Sequence, residues 1–302
     1  LIFWTFTAGC AKISQEYKSG GKFMGKKIKN MEISKNGEVA FLTFPSFSAY
    51  PFVRHAFSTR LGGVSKNEFS SMNLAFHRGD PDKNVEENYR RFCGAAGFDY
   101  NTLVSSAQDH HTFIRRVRHE QYGTGIWKPK DMESVDGLIT DEPNVTLVTH
   151  YADCVPVFLL DPQKHAIGLV HSGWRGTAAK IAMEAVKAME REFRTCPDDL
   201  IAGIGPSIGP CCFEVDRPVR DRFAALTELH TENFIHEDGG GKYHIDLWET
   251  NRRILMEAGV PEKSITIGGI CTKCHSDLLF SQRAMGNRRG GLSAFMELVD
   301  AG

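Results

Sequence analysis

The sequence carries no excess of either charge. Its 36 Lys and Arg residues stand against 37 Asp and Glu, a formal net charge of −1. That balance excludes a nucleic-acid or membrane-surface binder held by bulk positive charge. Long apolar runs are missing too: stretches such as Val155 to Leu160 fall far short of the roughly 20 residues a membrane span needs. No Walker-type loop and no G-x-G-x-x-G after a strand is present, which removes the common nucleotide fingerprints. The aromatic residues form no stacking stripe, so single-stranded nucleic acid lacks its usual platform. Beyond Val39 there is no Pro/Ser-rich linker, charge block or internal repeat to mark a domain boundary. Cysteine is too sparse for a disulfide scaffold, at 8 in 302 residues. Reduced thiols in a cytoplasmic enzyme are the expectation, and the question becomes which thiols do chemistry.

What remains is a chain of ordinary globular composition, 41% hydrophobic and 24% charged. Leu1 to Gly9 is apolar and ends at Cys10, but it lacks the basic start of a secretory leader. Lys12 to Lys29 is lysine-rich without periodicity. Residues 1–35 are therefore read as a dispensable tail, and residues 36–302 as one domain. Within it Phe52 to Ser58, Val145 to Val148, Val155 to Leu160, Ala166 to Val170, Leu200 to Ile204 and Ser264 to Ile270 read as strands. Asp80 is placed as the N-cap of a helix that buries Val85, Tyr89 and Phe92 and stops at Gly97. Gly176 to Phe193 reads as one helix, and Asp246 with Glu249 opens another. Strands and helices alternate throughout, so the fold class is α/β or α+β: a single domain of mixed β-sheets flanked by helices.

Two residues stand where strand ends would expose them. Cys154 immediately precedes one apolar strand, and His171, 17 residues later, ends the next. If these strands form a hairpin, both side chains emerge at the same end, where loops carry function on a rigid scaffold. Gln108-Asp109-His110-His111 offers a third donor. Two imidazoles and a thiolate suit Zn²⁺, and three protein ligands leave a fourth position open, as in catalytic zinc sites. The competing reading is a buried core thiol and a hydrogen-bonded core histidine.

The segments Thr149 to Val157, around Ala152-Asp153-Cys154, and His171-Ser172-Gly173-Trp174-Arg175-Gly176-Thr177 resemble the two signatures of one family. This is the family labelled multicopper polyphenol oxidoreductase, or laccase-domain, whose members are understood as zinc-dependent purine nucleoside phosphorylases that also deaminate adenosine. Ser58 to Ser65, Asn73 to Asp80, Val135 to Thr140, Gly205 to Gly209, Cys211 to Val215 and Phe280 to Arg283 agree, and the similarity runs in order from about residue 40 to 298. The resemblance implies His110, Cys154 and His171 as metal ligands, with Zn²⁺ as the cofactor and copper as the alternative carried by the older label. It implies purine nucleoside and phosphate as partners, and neither nucleic acid nor membrane. Two positions depart from the family pattern. His111 stands where Gly is usual, and Asn287-Arg288-Arg289 stands where Thr-Gly-Arg is usual, which leaves the register of that arginine open.

Further candidates follow from their neighbourhoods. His77 would act as a proton shuttle or hydroxyl ligand if its loop covers the site. Asp153 would orient a ligand or accept a proton. Asn73, Arg60 and Arg175 are placed as substrate or phosphate ligands, Arg175 with helix N-terminal amides beside it. Cys271-Thr272-Lys273-Cys274-His275 formally fits the c-type haem string. It is read instead as reduced thiols, packed or partly exposed, with a second zinc or a redox role as the lesser alternative, and Cys211 and Cys212 are judged not easily able to reach one metal together. Two other functions compete with the leading one: a Cys–His hydrolase or deamidase with Cys154 as nucleophile and His171 as base, and a copper-dependent phenol oxidase.

Overall fold

The computed structural model describes residues 23–300. Two sheets stack face to face and each carries helix on its outer side. The larger sheet has seven strands in the spatial order 23–28, 31–36, 39–43, 53–58, 292–298, 146–151 and 103–105. The second has six, in the order 265–267, 201–204, 155–161, 166–172, 137–140 and 114–116. A small three-stranded sheet lies apart from both. Most neighbours run antiparallel. The parallel pairs, 103–105 with 146–151, 114–116 with 137–140 and 201–204 with 265–267, make the sheets mixed, as expected.

The strands Val155–Asp161 and Ala166–Ser172 show why the layers form. All seven residues of each are buried, and successive side chains face opposite ways. Phe158, Leu160, Ile167 and Leu169 pack toward the seven-stranded sheet with Phe44, Phe47 and Leu147. Val155, Val157, Leu159 and Val170 pack outward onto Ile181, Ala185 and Met189 of the helix Ile181–Phe193. A strand covered on both faces reads as a continuous apolar run rather than an alternating one. On the far side of the larger sheet, helix Asp82–Ala96 sets Val85, Tyr89 and Phe92 against Phe41 and Phe295.

Several sequence expectations need correction. The tail does not extend to residue 35: Phe23–Ile28 and Met31–Asn36 are strands of the larger sheet, and Met31 and Ile33 are fully buried. Their alternation is short and set among lysines, which hides it. The remainder of the expected tail, with Cys10, lies outside the described residues. Asp80 is not an N-cap. The helix begins at Asp82, and the buried Asp80 carboxylate accepts from Ser65, Asn73 and Asn84. Gly97 does end it, in the left-handed conformation. The stretch from Gly176 is two helices, Trp174–Ala178 and Ile181–Phe193, broken at Lys180 with φ of 57°. The break lets Thr177 turn back to Ser172 in a buried network with Asn251. No described helix is long and apolar enough to cross a membrane.

His55 yields a stability prediction. It is buried against Phe44, Phe47 and Phe158, and its Nε2 accepts the Phe44 amide proton at 2.7 Å, so burial holds its pKa at about 3. The unfolded chain, with an ordinary imidazole near 6.5, takes up the proton first as pH falls. Stability from His55 is therefore complete above that value and is lost as pH falls toward 3. Between pH 7.5 and pH 5 the loss from this residue is about 2 kcal/mol. Urea denaturation at the two pH values measures it. A His55→Gln protein keeps an acceptor but does not titrate, and its stability should fall by roughly 2 kcal/mol less over that interval.

Candidate active site

The hairpin of strands 155–161 and 166–172 pairs His171 with Pro156 and Ser172 with Val155. Cys154 and His171 therefore leave the sheet at one end, as their spacing implies. Cys154 also lies where the chain passes from strand Thr146–Tyr151 of the larger sheet into strand Val155–Asp161 of the smaller one. Asp153, with φ of 90°, makes that turn. Its carboxylate faces away from the hairpin end, accepting from Thr272 Oγ1 and from the Arg283 backbone N–H, both at 2.6 Å. Asp153, expected to orient a ligand or accept a proton, is thus a buried brace for the segment that presents Cys154.

The third donor arrives on a loop shaped by Asp136. This fully buried carboxylate accepts the backbone N–H groups of Asp109, His110 and His111 at 3.1, 3.0 and 2.9 Å, and a bond from His171 Nδ1 at 2.7 Å. One side chain thereby fixes the His110 backbone, held at φ of 72°, and the ring of His171. With Nδ1 engaged, His171 is left to use Nε2 toward Cys154. His110 Nε2 lies 3.9 Å from Cys154 Sγ, and the His110 and His171 rings meet edge to face with centroids 5.0 Å apart. His111 turns outward onto Asp109, which settles which of the adjacent histidines joins the group. One donor atom from each of His110, Cys154 and His171 falls within 4.8 Å of the others. Nothing local in the sequence marks Asp136, one aspartate before a strand, as the anchor of both His110 and His171.

Electrostatics couple the three. Burial pushes the Cys154 thiol up, but the His171 charge and the His110 bond outweigh it and bring it to about 6. Burial likewise pushes His171 down, and Cys154 and Asp136 lift it to about 9. His110 rises through its bond to Cys154. The sulfur is therefore a thiolate at neutral pH, the form that ligates metals and attacks electrophiles. Gly173 makes the close approach possible, since a Cβ there would stand 2.7 Å from His110 Cδ2 and 3.3 Å from Cys154 Sγ.

The group lines a cavity of about 940 Å³, within the range of small-molecule sites. His77 reaches its rim with a side chain 85% exposed. Arg78, Lys128 and Lys130 add positive charge, and Phe76 and Trp127 add aromatic surface. Arg289 also lines it, although its side chain is almost completely buried. Gln282 Oε1 accepts from its Nε and Gly290 O from its Nη1. Burial and then the charge of Arg78 lower it to about 10, so it remains a cation at neutral pH. Arg288, by contrast, is exposed and paired with Glu68. Three sequence candidates are not brought to the cavity. Arg60 stacks on Phe280, and its guanidinium is taken by the carbonyls of Ser70 and Ser276. Arg175 lies exposed over Trp174. Asn73 is buried and holds Ala75 and Gly291 in place behind the lining. Loop position marked all three, but backbone carbonyls take Arg60, the backbone of Ala75 and Gly291 takes Asn73, and Arg175 stacks on Trp174.

Fold and site together define a layered α/β protein with an open His–Cys–His donor set beside a cationic cavity. The chain belongs to the multi-copper polyphenol oxidoreductase laccase family, whose model matches residues 54–299. It is 37% identical over 240 residues to purine nucleoside phosphorylase YlmD of Geobacillus stearothermophilus, covering 79% of this chain and 88% of that one. It is 33% identical over 237 residues to adenosine deaminase RL5 of an unknown prokaryotic organism, covering 78% and 90%. The crystal structure of Bacillus licheniformis hypothetical protein YfiH superposes with a TM-score of 0.82 at 30% identity, over 91% of this chain and 98% of that one.

Proposed function

We propose that the protein is a zinc-dependent purine nucleoside phosphorylase that cleaves adenosine, inosine, guanosine or methylthioadenosine, with adenosine deamination as a side activity. The observation that carries this reading is the junction of an open three-donor centre with a buried cation, Arg289, in one cavity large enough for a nucleoside and phosphate. The names of the YlmD and RL5 relatives support the two activities. The donor set fits Zn²⁺ by its chemistry: two imidazoles, a thiolate, a carboxylate behind one imidazole and room for a further ligand. A metal held by His110, Cys154 and His171 would supply Lewis acidity to this cavity.

The chain's own groups do the rest. Arg289, fixed by Gln282 and Gly290, holds phosphate with the help of Arg78. A phosphate oxygen bonds to C1′ of the ribose while the bond from C1′ to the base nitrogen breaks, its electron pair leaving with the base. The base takes up the proton that hydrogen phosphate gives up on becoming the sugar ester, and the products are free purine and ribose-1-phosphate, or its 5-methylthio analogue from methylthioadenosine. Trp127, 46% exposed at the cavity wall, offers a stacking surface for the base. His77 at the rim can exchange protons with solvent. Asp136 keeps His171 and His110 in register. Incubation with adenosine and phosphate tests the reading: release of adenine and ribose-1-phosphate supports it, and the absence of both these products and inosine refutes it.

Arg289→Ala should raise the KM for phosphate about 10- to 100-fold, the weight of one charged hydrogen-bonding group. Deamination, which uses no phosphate, should change far less. Arg60→Ala should leave the phosphate KM unchanged and lower thermal stability, because its partners are backbone carbonyls.

One observation favours a second reading. Cys154, His171 and Asp136 form a nucleophile, base and orienter sequence that suits a Cys–His hydrolase. Alkylation separates the two. A metal-bound thiolate resists iodoacetamide until a chelator is added, whereas a free nucleophile is labelled at once.

A further inference from the structure

Four cysteines outside this site converge on one point. Cys211 and Cys212 lie in the turn after Gly209, and Cys271 and Cys274 form a C-x-x-C turn on a neighbouring loop. Cys274 Sγ lies 3.6 Å from that of Cys211 and 3.5 Å from that of Cys212, and all four sulfurs are within 4.8 Å of one another. The sequence expectation that the adjacent pair cannot easily serve one metal is therefore wrong. Tight turns bring both thiols round: the N–H groups of Cys212 and Phe213 both donate to Gly209 O at 2.9 Å.

The geometry points to a second, structural metal site: a single zinc ion held by the thiolates of Cys211, Cys212, Cys271 and Cys274. A tetrahedral ion with Zn–S bonds of about 2.3 Å sets its sulfurs about 3.8 Å apart. The Cys274 separations of 3.6 and 3.5 Å lie close to that edge and far beyond the roughly 2.05 Å of a disulfide. An iron–sulfur cluster spreads its thiolates over several iron atoms and does not gather them this closely. The surroundings suit a thiolate cage. The Gly209 N–H donates to Cys271 Sγ at 3.3 Å, and Arg283 holds the carbonyls of Cys212 and Glu214, bringing a cation beside a net negative centre. Gly209 is required for the approach, since a Cβ there would meet Trp248 at 2.7 Å and Cys271 Cβ at 3.2 Å.

The zinc would staple the two loops that brace Asp153. The Ile208 N–H donates to Asp153 O, and Thr272 and Arg283 bind its carboxylate. The second ion thus steadies the turn that presents Cys154, without taking part in chemistry there. The inference stands whether or not the protein is a phosphorylase.

The test uses full-length Cys154→Ala protein purified without chelator, so that the first centre is disabled. Elemental analysis should find about one zinc per chain, against about two in the unchanged protein. Exchange with Co²⁺ should give the intense visible bands of tetrahedral cobalt in an all-thiolate cage. Peptide mapping should show Cys211, Cys212, Cys271 and Cys274 alkylated only after the metal is stripped. A protein without zinc whose four thiols are labelled at once overturns the proposal, as does one in which they are paired as disulfides. If Cys154→Ala fails to fold, Cys211→Ser with Cys274→Ser in the otherwise unchanged chain should lower the zinc content from about two to about one. An unchanged content overturns the site.

Discussion

Asp136→Ala should cost the protein much of its activity although its carboxylate does not line the cavity. The substitution removes the acceptor of three backbone N–H groups and of His171 Nδ1 in one step. The carboxylate and the His171 ring are buried, so that bond at least has no water to replace it. Each orphaned group costs about 1–3 kcal/mol, and a buried partner lost from such a network costs about 3–5 kcal/mol in all. The loop of His110 and the ring of His171 then drift independently. Metal affinity should fall at least about 10- to 100-fold, with kcat/KM falling with it. Equilibrium dialysis with Zn²⁺ and steady-state assays measure the two effects, and circular dichroism separates them from global unfolding. A protein that keeps its metal affinity would show that Asp136 orients nothing.

The second large effect belongs to Cys154. Cys154→Ala removes the one thiolate of the centre and leaves His110 and His171 without the negative charge that raises both their pKa values. Zinc occupancy at this centre should be lost, and adenosine phosphorolysis should fall on the order of 10²- to 10³-fold, comparable to losing a principal electrostatic stabiliser. Asp136 still holds the His110 loop, so the fold should survive. Activity assays on the variant, with and without added Zn²⁺, measure the effect. Retention of full activity would remove the proposed centre.

The strand-end placement of Cys154 and His171 was legible because it depends on local features. Two apolar runs of strand length, separated by a turn, leave few choices but a hairpin, and a hairpin fixes which ends meet. The residue types of Gln108-Asp109-His110-His111 offered a third donor, but only resemblance singled out His110, since its approach depends on Asp136, 26 residues farther along the chain. Arg289 was hidden for a similar reason: nothing in Asn287-Arg288-Arg289 distinguishes the buried guanidinium from the exposed one beside it. Arg60 misled in the opposite sense. A basic residue in a glycine-rich loop looks like an anion ligand, yet carbonyl oxygens bent inward by the turn satisfy it first. The four thiols share the difficulty of Asp136, because 62 residues separate Cys212 from Cys274 and only the closure of two loops makes them neighbours. The hairpin at 23–36 shows the limit at the level of fold: a short hairpin among lysines has too little alternation to be read before the sheet that receives it is known.

The most direct test of the account is a product analysis of adenosine turnover by the zinc-loaded full chain, with and without inorganic phosphate. Adenine and ribose-1-phosphate should form in equal amounts when phosphate is present, no adenine should form without it, and both products should be lost on Cys154→Ala. Adenine release that does not depend on phosphate, or no change in adenosine under either condition, would contradict the account.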